Sequence, residues 1–142
     1  LGIQALQAAF GELQISPVYE SEAVGFNGCN FYNLVVCFSS ALPPRALIKK
    51  FKQLEVEQGR PEKAIKFAPR TLDLDLLLHE QTVDADIDLP RAEILTNAFV
   101  LQPLAQLAPQ LKHPILNKTY QALWNNFPKA QQKLWQIDAI IN

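Results

Sequence analysis

Cysteine and histidine are scarce in this sequence, with two of each in 142 residues. Cys29 and Cys37 lie in or beside an apolar stretch and are too few for a disulfide framework, so they read as two free thiols. With only His79 and His113 beside them, there is little material for a structural zinc site. No apolar run approaches the ~20 residues of a membrane span. No signal-peptide pattern opens the chain, so the expected location is the cytoplasm, without a membrane partner. An excess of positive charge is lacking too: 13 Lys and Arg against 14 Asp and Glu leave a formal net charge of -1. That balance argues against a nucleic-acid partner. There is no internal repeat, no low-complexity segment and no linker, and residues 1–142 read as one domain. The phosphate-cradling pattern G-x-x-x-x-G-K-[ST] is missing, which excludes a P-loop protein.

What is present is a core's worth of apolar residues, 49% of the chain, distributed with both helical and strand periods. Ile3, Leu6 and Phe10 share one face of an opening helix, so the chain is expected to begin inside an element. "LQISPVYES" alternates as a strand, with Pro17 marking a bulge or an edge. "EAVGFNGCN" is loop, and the aromatic, β-branched "FYNLVVCF" predicts a central strand. "ALPPRALIKKFKQLEVEQG" predicts a helix: Pro44 suits its first turn, Leu47, Ile48, Phe51 and Leu54 form its stripe, and Gly59 is its stop. A polar loop, "RPEKAIKFAPR", leads to "TLDLDLLL", expected to be the next strand. "VDADIDLP" reads as a weak strand or turn. "AFVLQPLAQLAP" reads as a helix around Pro103, "YQALWNNF" as a short helix and "KLWQIDAII" as a last strand or tail. Without a regular βαβα rhythm, the mixture favours an α+β fold with helices on one side of the sheet.

The chemistry concentrates in the acidic stretch. Alternation along a strand would point Asp73 and Asp75 the same way, about 6.5 to 7 Å apart, with Leu72, Leu74 and Leu76 toward the core. Two carboxylates so placed can share or pair hard cations such as Mg²⁺; without one they repel. A bare D-x-D is also simply a solvated strand face. The preceding loop tips the balance, because Arg60, Lys63, Lys66 and Arg70 crowd four cations before the acids. Carboxylates that hold Mg²⁺ on phosphate oxygens, next to Arg and Lys that neutralise the transferring group, make a metal–nucleotide site.

"EVEQGRPEKAIKFAPRTLDLDLLL" resembles the central signature of the 6-hydroxymethyl-7,8-dihydropterin pyrophosphokinase family: Glu55, then Gly59-Arg60, a basic loop, and Pro69 to Asp75. "SPVYESEAVGFNGCNFYNLVV" and "LPRAEILTNAFVLQPLAQLAPQL" are similar to its earlier and later segments. The resemblance covers about Leu1 to Leu111. It implies a ferredoxin-like fold, a mostly antiparallel sheet with helices packed on one face. It implies transfer of pyrophosphate from ATP to 6-hydroxymethyl-7,8-dihydropterin with release of AMP, in folate biosynthesis. Two Mg²⁺ ions would bridge ATP to Asp73 and Asp75. Glu55, Lys63, Lys66, Arg70 and Arg91 would serve the nucleotide, and Arg60 and Arg70 the transferring phosphates. The pterin would lie between Phe31 and Phe99, with Asn33 on its edge and the backbone near Ser21 and Val24 framing it. A flat polar heterocycle needs such stacking faces and a few convergent polar groups. The working form would be a monomer.

The sequence also departs from the family pattern. The opening strand with its Gly-Ser-Asn turn is lacking, so the domain is expected to lack its N-terminal strand. Arg91 stands where the family usually has His, Asn97 where it has Arg, Glu62 at a basic loop position, Phe67 for a frequent Trp, and Glu22 where Pro is common. Two alternatives follow: a divergent, non-catalytic pterin- or nucleotide-binding paralogue, or one that acts on a related pterin. A metal-dependent nucleotidyltransferase and a sheet-face RNA binder are further readings; the basic loop and aromatic pair oppose the first, the net charge the second.

Overall fold

A computed structural model of the chain describes residues 2–21, 31–57, 73–128 and 134–137. Its elements run α1 (Gly2–Phe10), β1 (Gln14–Ile15), β2 (Val18–Ser21), β3 (Phe31–Asn33), β4 (Val36–Cys37), α2 (Pro44–Glu57), a 3-10 turn (Ala85–Ile87), α3 (Glu93–Thr96), α4 (Ala98–Leu107), α5 (Tyr120–Asn125) and β5 (Leu134–Ile137). The fold is α+β, and every strand pair among the described residues is antiparallel.

Pro17 sets the geometry of the first hairpin. Ile15 faces Val36 and Tyr19 faces Asn33, so three residues on one strand oppose two on the other. That is a β-bulge, placed where Pro17 has no N–H to give to a ladder. Ser16 closes the gap: its N–H donates to the Val35 carbonyl, and its Oγ accepts from the Val35 N–H, both at 2.9 Å. The bulge corrects one expectation. "FYNLVVCF" is not a single central strand; it splits into β3, which pairs β2, and β4, which pairs β1. In the sheet order β3–β2–β5 the central strand is β2, and β3 lies beside it.

Two apolar clusters hold the elements. In the first, Leu6 of α1 meets Leu47, Phe51 and Leu54 of α2, with Phe10, Leu13, Val36 and Phe38 against them. The Phe10 and Phe38 rings stack at 4.4 Å, and Phe51 meets Phe10 edge-on at 5.9 Å. Gly11, at φ 84°, ends α1 with its N–H on the Gln7 carbonyl, a backbone conformation that suits a residue without Cβ. The second cluster joins Ile94 of α3, Leu101, Leu104 and Ala105 of α4, and Tyr120 of α5. Thr119 caps α5 by accepting from the Ala122 N–H at 3.1 Å. Tyr120 is fully buried, which pushes its hydroxyl pKa up to about 12. The Tyr19 hydroxyl of β2 donates to Gln106 Oε1 of α4, tying sheet to helix. Among the described residues no helix is long and apolar enough to cross a membrane.

A second correction concerns the acidic stretch. Residues 73–78 pair with no strand among the described residues. Their backbone groups are met from elsewhere: the Leu74 N–H by the Glu55 side chain, the Leu77 carbonyl by the Arg91 N–H. The alternation survives without a ladder, with Asp73 and Asp75 exposed and Leu74 and Leu76 half-buried.

Candidate active site

The site is assembled from α2, the acidic stretch and the turn before α3. Helix α2 turns Glu55 inward with Leu47, Phe51 and Leu54 until its carboxylate is buried. A buried carboxylate needs donors. Glu55 Oε2 takes the Leu74 N–H at 2.6 Å, a charge-assisted bond aimed between the two aspartates. Leu74 and Leu76 pack on the α1–α2 cluster, while Leu77 and Leu78 pack on the α3–α5 cluster. The stretch is thus anchored to both, and Asp73 and Asp75 are left on the outside.

Arg91 reaches back over this stretch. Its N–H is bonded to the Leu77 carbonyl at 3.0 Å, and its guanidinium sits among three carboxylates. Nη2 lies 2.8 Å from Glu93 Oε1 and 3.6 Å from Asp75 Oδ2, and Nη1 lies 3.9 Å from Asp88 Oδ2. Only the Glu93 contact is at hydrogen-bond length; half-exposed pairs at the longer separations contribute about 0–1 kcal/mol each. Glu93 is held in turn, its Oε2 accepting from Asn97 Nδ2 at 3.2 Å. Asp88, at φ 54°, takes the Ala92 N–H on Oδ1 at 3.0 Å.

A cleft of about 270 Å³ opens beside these groups, with Ile48, Leu76 and Ile87 as apolar wall and Lys52, Asp75 and Arg91 as charged rim. Next to it lies a groove of about 260 Å³, where Arg45, Lys49 and Lys52 follow one face of α2. Lys52 borders both. An apolar wall with cations and a carboxylate at its edge suits a flat base that carries phosphates.

The donor set fits Mg²⁺. Asp73 and Asp75 are exposed oxygen donors, and among the described residues no group of three or more His, Cys, Asp or Glu forms a closed metal cage. Mg²⁺ is commonly held by one or two carboxylates, with water and substrate phosphates in the remaining positions.

Of the residues expected from sequence, Glu55, Asp73, Asp75 and Arg91 come together here. Asn33 is half-buried on β3 opposite Tyr19, and Phe99 is half-buried in the first turn of α4. Their elements share a neighbour, β2, which pairs β3 and packs against α4. Ser21 faces Phe31 in the backbone register of β2 and β3. Val24, Arg60, Lys63, Lys66 and Arg70 lie outside the described residues, as do the two loops "EAVGFNGCN" and "RPEKAIKFAPR" that carry them. The sequence reading missed Glu93, Asp88, Lys52 and Ile87. For Glu93 the signal was an acid two residues after Arg91; for Lys52, its position one turn after Ile48 on a helix face.

Comparison with known proteins gives the same direction. A sequence model of the family described as 7,8-dihydro-6-hydroxymethylpterin-pyrophosphokinase matches residues 2–109. The chain is 38% identical over 108 residues to a 2-amino-4-hydroxy-6-hydroxymethyldihydropteridine pyrophosphokinase of Aquifex aeolicus, covering 74% of this chain and 67% of that protein. It is 39% identical over 121 residues to the protein of the same name from Pseudomonas aeruginosa, covering 79% and 74%. A folic acid synthesis protein of Schizosaccharomyces pombe is 30% identical over 126 residues, 87% of this chain but 17% of the longer relative.

Proposed function

Because the chain belongs to the 7,8-dihydro-6-hydroxymethylpterin-pyrophosphokinase family, we infer that it transfers pyrophosphate from ATP to 6-hydroxymethyl-7,8-dihydropterin in folate biosynthesis. The pterin hydroxymethyl oxygen bonds to the β-phosphorus and gives up its proton to solvent, the bond from that phosphorus to the α-phosphate's bridging oxygen breaks, and AMP leaves with that oxygen. The observation that carries the reading is the outward pair Asp73 and Asp75, held from behind by Glu55 and bordered by the Arg91 cleft.

In this reading the enzyme is Mg²⁺-dependent. Asp73 and Asp75 would hold two ions, which when bound neutralise charge on the phosphate oxygens. The chain's own residues do the rest. Arg60, Lys63, Lys66 and Arg70 stabilise charge on the moving phosphates, and Arg91 and Lys52 add cations at the cleft. Phe31 and Phe99 stack the pterin, Asn33 bonds its edge, and the backbone near Ser21 and Val24 frames it. The family's ferredoxin-like topology is part of the same reading, supported by the antiparallel order β3–β2–β5. So is a cytoplasmic monomer without nucleic-acid or membrane partners.

A second reading draws support from Arg91 and Asn97, both already engaged by acids: a paralogue that binds pterin or nucleotide without turnover, or prefers a related pterin. Product analysis with ATP, Mg²⁺ and 6-hydroxymethyl-7,8-dihydropterin separates the readings. AMP and a diphosphorylated pterin in equal amounts are expected. Release of inorganic pyrophosphate would indicate nucleotidyl transfer instead, and pterin binding without AMP would indicate the paralogue.

A further inference from the structure

Arg91 stands within ion-pairing reach of Asp75. Its Nη2 lies 3.6 Å from Asp75 Oδ2, on a carboxylate whose side chain is 51% exposed and which the preceding reading gives to Mg²⁺. The separation is too long for a hydrogen bond and short enough for the positive charge to disfavour a divalent cation there. The guanidinium is not committed to Asp75. Among the described residues its one hydrogen-bonded carboxylate is Glu93, at 2.8 Å, and that acid is fixed by Asn97 at 3.2 Å. Asp88 adds a loose contact at 3.9 Å. The backbone of Arg91 is tied to Leu77, so the side chain extends from a fixed root. Its Nε is buried and has no hydrogen-bond partner among the described residues, so one donor is still to be satisfied. The guanidinium also borders the cleft that Asp75 borders.

We propose that Arg91 is a resident counter-cation of Asp75 that a divalent metal displaces, and that Glu93, braced by Asn97, keeps the displaced guanidinium at the cleft to meet a nucleotide phosphate. The proposal rests on the Asp73–Asp75 metal reading and adds an order to it. Metal without nucleotide is opposed by Arg91, whereas metal with nucleotide is favoured by it, because the phosphates supply the anion that Arg91 gives up. The device makes empty-handed metal binding weak and couples the metal to its nucleotide. Glu93 and Asn97 are positioning residues in it.

Mn²⁺ serves as the probe, its free form counted by electron paramagnetic resonance, in the intact chain and in Arg91→Met, Arg91→Lys and Asp75→Asn. Arg91→Met is expected to bind Mn²⁺ alone about tenfold more tightly, as loss of a nearby like charge implies. The same variant should bind Mn²⁺ with a non-hydrolysable α,β-methylene ATP about tenfold more weakly, for want of the phosphate contact. Arg91→Lys keeps the charge and should stay near the wild type for Mn²⁺ alone. The opposite signs are the signature, because a merely structural defect would weaken both. Equal Mn²⁺ affinity in Arg91→Met and wild type, with binding still lost in Asp75→Asn, would overturn the competition and leave the metal reading standing. Equal Mn²⁺ affinity of Arg91→Met with and without the added Asp75→Asn substitution would overturn both.

Discussion

His113 shows how one buried side chain can write a pH dependence into the fold. It is 3% exposed, and its Nδ1 accepts the backbone N–H groups of Ile115 and Leu116, each at 3.2 Å. An accepting Nδ1 carries no proton, so the ring is neutral with its proton on Nε2. Burial pushes its pKa below the usual histidine value. As pH falls through about 6.5 the unfolded chain takes up a proton that the folded chain resists. The stabilisation is therefore present above that pH and is lost as pH falls toward the folded-state value. Urea unfolding should give a lower midpoint at pH 5.5 than at pH 7.5, and His113→Asn should flatten the difference. A midpoint that rose toward pH 5.5 would contradict the assignment. Arg91 belongs to the same scale: its identity was legible in the sequence, but not its engagement by Glu93. That contact depends on where the turn before α3 returns the chain.

Between elements, a side-chain hydrogen bond joins α2 to the acidic stretch. Glu55 of α2 holds the acidic stretch by the Leu74 N–H, and no ladder among the described residues replaces that bond. Glu55→Ala should destabilise the protein by about 2 kcal/mol, the range for loss of a charged partner to a buried donor. Glu55→Gln keeps an acceptor and should lose less. Chemical denaturation checks both, and an unchanged midpoint in Glu55→Ala would show that the stretch is held otherwise. This bond also explains what could be read from the sequence. Helices α1, α2, α4 and α5 were visible because apolar spacing is a local signal, and Pro17 announced its bulge. The alternation in "TLDLDLLL" correctly told inside from outside at Leu74, Asp75 and Leu76. It did not tell whether the backbone partner is another strand or a side chain, because period 2 reports burial of faces and not the origin of hydrogen bonds. Likewise "FYNLVVCF" carried strand propensity throughout, and its division into β3 and β4 came from Ser16 and Pro17 on the opposite strand.

At the scale of the whole molecule, the acidic stretch lies across two cores. Leu74 and Leu76 enter the α1–α2 cluster and Leu77 and Leu78 the α3–α5 cluster, so both halves of the fold fix Asp73 and Asp75 from below. A site built on such a base tolerates removal of its carboxylates, since exposed acids contribute little to packing and their mutual repulsion is relieved. The family identity was legible because its signature forms a continuous run of residues. The cleft was not, because Ile48, Lys52, Leu76, Ile87 and Arg91 converge from three separate segments. The central claim is that pyrophosphoryl transfer runs through Asp73 and Asp75. Its most direct test is AMP release from ATP, with Mg²⁺ and 6-hydroxymethyl-7,8-dihydropterin, by the wild type beside Asp73→Asn and Asp75→Asn. The account predicts pterin-dependent AMP in the wild type and at least a hundredfold loss in both variants, on the order of what metal-held charge stabilisation supplies, with unfolding midpoints unchanged or raised. Near-normal AMP release by either variant would contradict it.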